Sequence, residues 1–154
     1  NQWALRQAGY SQEVVDQYCK TLESLFDSMK VGKNPVVNGA GLPADLAQNL
    51  QLVKAQCSTP YMRYFLNLDL TDLIGKIRCP VLALNGTNDR QVDCEENLSI
   101  LRRGLKGPKT VLAIEGVNHL FQHCTTGDPS EYKDIEETFA PNVIQLVIEW
   151  LKSL

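Results

Sequence analysis

Histidine is nearly missing from these 154 residues: it occurs only at positions 119 and 123, so any imidazole chemistry must run through His119 or His123. Long hydrophobic runs are missing as well. The apolar stretches are a few residues long, against the ~20 that a membrane-spanning helix requires, and no membrane span is expected. An excess of either charge is lacking. The net charge is −3 and no Lys/Arg stripe is interleaved with aromatics, which speaks against a nucleic-acid partner. The five cysteines, Cys19, Cys57, Cys79, Cys94 and Cys124, form no C-x-x-C pair and no dense framework. A disulfide-stapled scaffold is thereby excluded, and buried free thiols are expected. Internal repeats and low-complexity tracts are absent. The chain opens at Asn1 with neither an initiator Met nor a charged-then-apolar leader, so its natural beginning is expected upstream and its compartment is unknown.

What is present is the composition of a globular protein, 44% hydrophobic and 21% charged, in a chain long enough to bury one ordinary core. From Ser11 to Met29 the apolar residues Val14, Val15, Tyr18, Leu22, Leu25, Phe26 and Met29 recur at helical spacing. Ser11 suits the cap of that helix, and Glu13 places a negative charge in its first turn. The turn-rich stretch "VGKNPVVNGAG" (31–41) reads as a loop. Pro43, Leu46, Ala47, Leu50 and Val53 then mark a second helix, and "STPYMRYFL" a third, with Thr59 as cap and Pro60 at its first position.

The second half changes character. "CPVLALNG" (79–86) and "KTVLAIEG" (109–116) are short continuous apolar runs bounded by turn residues, the pattern of strands buried on both faces. Between them Asp93, with Glu96 three residues on, opens a helix carrying Leu98, Leu101 and Leu105. Strand, helix and strand at this length form a right-handed βαβ crossover with parallel strands. A closing helix starts at Pro141, with Val143, Val147, Trp150, Leu151 and Leu154 as its apolar stripe. Two parallel strands do not make a complete sheet, so further strands are expected from outside this chain, either a missing N-terminal half or a second copy.

In a parallel sheet the loops that follow the strands gather on one edge, where ligands bind. Asp89 lies in the loop after the first strand, in "LNGTNDRQV", and His119 in the loop after the second, in "EGVNHLF". A carboxylate and an imidazole are thus expected to meet, as a general base and its orienting acid must. These stretches carry a resemblance. "PVLALNGTNDRQV" resembles the acid-bearing segment of α/β-hydrolases. "GVNHLFQ" (116–122), followed by "TG", "EY", "IEET" and "WL", resembles the histidine loop and final helix of a bacterial esterase- or peptidase-like subgroup. Residues 1–75 resemble a helical cap, and 76–154 the C-terminal α/β core with its parallel βαβ unit and closing helix. The resemblance implies that Asp89 is the acid and His119 the base of a serine-hydrolase triad acting on carboxylic esters, thioesters or small amides, with no cofactor.

The chain departs from that family at the nucleophile, because no G-x-S-x-G pentapeptide occurs. The nearest string, "GYSQE" (9–13), lacks the second glycine and follows no strand, so Ser11 is read as a helix cap. The chain is therefore expected to supply the acid and histidine of an enzyme whose serine lies elsewhere, and to be inactive alone. The alternative is a non-catalytic interaction module with a hydrolase-like fold. Three further candidates have plainer readings. Asn88, beside Asp89, cannot hold an imidazolium as a carboxylate can. Cys94, at a helix start, is read as an inert thiol. His119, His123 and Cys124 supply at most three metal ligands from a loop, and no metal is expected. The aromatic face of "YMRYFL" (61–66) is expected in the core.

Overall fold

The computed structural model describes residues 2–154, and the chain divides into two compact units at Leu68 and Asp69. The first unit is helical: α1 (Gln2–Gln7), α2 (Gln12–Lys30), α3 (Ala44–Cys57) and α4 (Pro60–Leu66). Capping chemistry sets two of the starts. Ser11 Oγ accepts from the Val14 N–H at 3.4 Å, and Thr59 Oγ1 accepts from the Met62 N–H at 3.3 Å, with Pro60 in the first turn where its missing N–H costs nothing. The apolar faces of α2 and α3 close over two clusters. Tyr18, Leu46 and Leu50 form one, and Leu25, Met29 and Cys57 the other, which Met62 and Leu66 of α4 also join. The aromatic face of α4 is a correction to the sequence reading. Tyr61, Tyr64 and Phe65 are 70%, 69% and 54% exposed, since α4 turns Met62 and Leu66 inward instead.

The second unit runs α5 (Thr71–Ile74), β1 (Val81–Gly86), α6 (Cys94–Gly104), β2 (Lys109–Ile114), a 3-10 turn (Pro129–Asp134) and α7 (Pro141–Lys152). It mixes helix with a small sheet in which β1 and β2 lie parallel, Val81 opposite Lys109 through Gly86 opposite Ile114. Asp93 caps α6, its Oδ1 accepting from the Glu96 N–H at 2.7 Å. Leu84 and Ile114 share one face with Val117, Ala140 and Val143 at the start of α7, so strand alternation puts Asn85 on the opposite face.

The strands are not buried on both faces as their apolar runs suggest. Most of β1 is half-buried, and Leu112 of β2 is 38% exposed, because among the described residues the sheet has only two strands. Likewise only Val143 of the α7 stripe is buried, whereas Leu151 and Leu154 are 56% and 68% exposed. The two sheet edges differ. Val81 N–H donates to Pro108 O and Thr87 N–H to Ile114 O, so the ladder's alternation turns the peptide groups of Val111 outward from β2. There Arg102 Nη2 donates to Val111 O at 3.3 Å, and Lys109 Nζ donates back to Leu105 O at 2.8 Å, putting two cations on that edge. No helix of the described residues is long and apolar enough to cross a membrane. All five cysteines are free, Cys57 buried and Cys79, contrary to expectation, exposed.

Candidate functional site

The loop after β1 is tied to the loop after β2 by backbone. Thr87 N–H donates to Ile114 O at 2.9 Å and Asn88 N–H to Val117 O at 3.1 Å, which continues the ladder past the end of the sheet. Two glycines make the approach possible. A Cβ on Gly86 would stand 2.1 Å from Val117 O, and one on Gly127, at φ +79°, would stand 1.8 Å from Asn88 O. The chain then turns at Asp89, whose N–H donates to Gly86 O and whose Oδ1 accepts from the N–H groups of Gln91 and Val92, each at 2.9 Å.

The loop after β2 is built around Asn118, which is fully buried. Its Oδ1 accepts from the N–H groups of Leu120 and Gln122, its Nδ2 donates to Gln122 Oε1, and its own N–H donates to Gln122 O at 2.9 Å. This tight loop forces Phe121 to φ +56°, a left-handed conformation that a bulky residue adopts only under constraint. The Phe121 ring is tilted against Phe139 at 5.3 Å between centroids, which anchors the strained residue. His119 sits at the tip of this loop.

The structure brings the two sequence-derived candidates together: His119 Nδ1 lies 2.9 Å from Asp89 Oδ2. The carboxylate is shielded, with 4% of its side chain exposed, whereas the imidazole is 38% exposed. Burial pushes the Asp89 carboxyl up, but the hydrogen bonds from His119, Val92 and Gln91 outweigh it and hold the group below its ordinary value. An ionised carboxylate against Nδ1 favours the tautomer with its proton on Nδ1. Nε2 then carries the lone pair, as a general base requires.

The other candidates go elsewhere. Asn88 Nδ2 donates to Cys124 Sγ at 3.6 Å. The Cys94 thiol donates to Asn85 O at 3.7 Å, and burial together with Asp93 and Asp89 pushes it up, the opposite of an activated thiolate. Cys94 and Asp89 help to line a cleft of about 370 Å³ beside α6, but His119 is not among its walls. His123 has its own partner: its ring Nδ1 lies 3.1 Å from both carboxylate oxygens of Glu137. Ser11 caps α2.

Sequence reasoning passed over Asn85. Its Nδ2 donates to Asp89 Oδ2 at 3.0 Å. The available signal was an amide in an otherwise apolar strand, four residues before the acid, because a buried polar group requires a partner. Comparisons with models of known families, with curated proteins and with solved structures find no match. The chemistry has to be read from the site itself.

Proposed function

We propose that the chain supplies the acid and the base of an α/β-hydrolase-type serine hydrolase acting on carboxylic esters, thioesters or small amides. The observation that carries this reading is the contact between buried Asp89 and part-exposed His119, at the ends of consecutive parallel strands. In that role Nε2 of His119 takes the proton from an attacking serine hydroxyl and later returns it to the leaving group. Asp89 holds the tautomer and stabilises the imidazolium, and water then releases the acyl group. The serine comes from outside these residues, because no G-x-S-x-G turn occurs among them.

The test joins the chain to the segment encoded upstream of it, which on this reading carries the nucleophile. The chain alone is expected not to turn over short p-nitrophenyl esters. The joined protein is expected to do so and to lose roughly 10⁴-fold or more of its rate in His119→Ala, with a large loss also in Asp89→Asn. Turnover that survives His119→Ala would refute the assignment. A second reading, a hydrolase-like interaction module, draws on the exposed Tyr61, Tyr64 and Phe65 of α4. An upstream segment with no serine turn would favour it.

A further inference from the structure

Asn85, Asn118 and Gln122 are buried amide residues, and each satisfies its side chain differently. Asn118 bonds within its own loop and Gln122 ties that loop to Glu137 O, whereas Asn85 reaches out of a strand to the acid. It follows the apolar run Val81–Leu84, where another apolar residue would fill the space without a buried amide to satisfy. Its Nδ2 donates to the same oxygen, Asp89 Oδ2, that faces His119 Nδ1. The other oxygen is taken by the Gln91 and Val92 N–H groups. Two donors therefore sit on each carboxylate oxygen, which fills the acceptor capacity of the group.

We propose that Asn85 is a positioning residue for the dyad, acting on His119 through Asp89. The two backbone bonds to Oδ1 act as a hinge, about which the free end of the carboxylate could still rock. Asn85 stops that motion from the strand side, because its own backbone is fixed in the β1–β2 ladder. With Oδ2 held, the imidazole keeps one orientation and one tautomer. The inference rests on reading His119 as a general base, and it adds the part of the fold that keeps the base aimed.

The test reads His119 without a substrate. In the ¹⁵N-labelled 154-residue chain, the His119 Nδ1–H is expected as a low-field proton resonance, identified by its loss in His119→Gln. His123, against Glu137, serves as the internal reference. Asn85→Leu keeps the size of the side chain and deletes the donor. The His119 Nδ1–H should then exchange with water about ten-fold faster, the factor expected for loss of one hydrogen bond of ordinary net strength, with His123 unchanged. Exchange within about two-fold of wild type overturns the proposal. If Asn85→Leu does not fold, the chain that keeps Asn85 carries a second readout. The Asn85 Nδ2–H signals should move in His119→Gln, whose amide replaces the imidazole at Asp89 Oδ2, and Asn85 signals unchanged by that substitution overturn the proposal. A responsive Asn85 beside a joined enzyme indifferent to His119→Ala supports the coupling and removes the hydrolase reading. An unchanged exchange rate in Asn85→Leu, beside turnover that needs His119, does the reverse.

Discussion

In the helical unit the buried side chains are Val15, Tyr18, Leu25, Met29, Leu46, Leu50 and Cys57 on α2 and α3, with Pro35 in the loop between them. In the strand-bearing unit they are Leu98, Leu105, Ile114, Val117, Ala140 and Val143, joined by Asn85, Asn118 and Gln122. The buried amide side chains of the described residues thus fall in the second unit, and each holds a loop or the Asp89 carboxylate, whereas the buried Tyr18 of the first unit donates its hydroxyl to Asn49 Oδ1. The first unit is stabilised by matching apolar helix faces, which tolerate small adjustments. The second holds two loops in contact through directional bonds and close backbone approaches, which tolerate few. Rigidity is concentrated where Asp89 and His119 meet, as a site with a fixed base requires.

The largest expected effect tests that rigidity. Gly127→Ala places a methyl against Asn88 O in a left-handed conformation and is expected to cost about 4 kcal/mol. Hydrogen exchange should then rise through residues 81–125 and leave α2 and α3 as they were. A change below about 1 kcal/mol would show that the loops adjust freely and would erase the contrast. The converse substitution, Leu50→Ala at a fully buried position of the first unit, is expected to cost about 3 kcal/mol by chemical denaturation, with the His119 Nδ1–H signal retained. Loss of that signal would mean that the helical unit also governs the site.

The smallest effect sharpens the comparison through pH. In the second unit the carboxyls of Asp69, Asp89, Asp128, Glu131 and Glu137 are all held below their ordinary values; in the first Asp45 is, through its bond from Tyr10. For Asp69, Asp128 and Glu131 the leading cause is a bond from Thr71, Ser130 and Thr126 respectively. For Glu137 it is the His123 N–H, while Asp89 is lowered against the upward push of burial. A carboxyl lowered by folding contributes stability above its unfolded value, near 4, and loses it as pH falls through the folded value. Acidification from about pH 5 to 3 should therefore raise exchange in residues 69–154 before residues 2–68. Equal loss in both units would count against the carboxylate network as the difference between them.

The caps at Ser11, Thr59 and Asp93 were legible, because a cap is a local bond between a side chain and the backbone three residues on. So were the parallel pairing of β1 and β2 and the placement of Asp89 and His119 after them, since a helical crossover of this length leaves one topology open. Exposure was not legible. Tyr61, Tyr64, Phe65 and Leu151 occupy apolar positions at helical spacing yet face water, because periodicity tells which side chains share a face and not whether anything covers it.

The sequence by itself determined α2, α3, α4, α6 and α7, the two strands, their sense and the edge on which an acid and an imidazole emerge, all of which follow from short-range chemistry and chain connectivity. The tertiary structure alone decided that Asn88 donates to Cys124 Sγ. It also decided that Gly86 and Gly127 admit the close approach of two loops, and that His123 belongs to Glu137. Those outcomes depend on distances between segments up to about 40 residues apart in the chain, which no local pattern encodes; they appear only when the strands pair and bring the loops within hydrogen-bond reach.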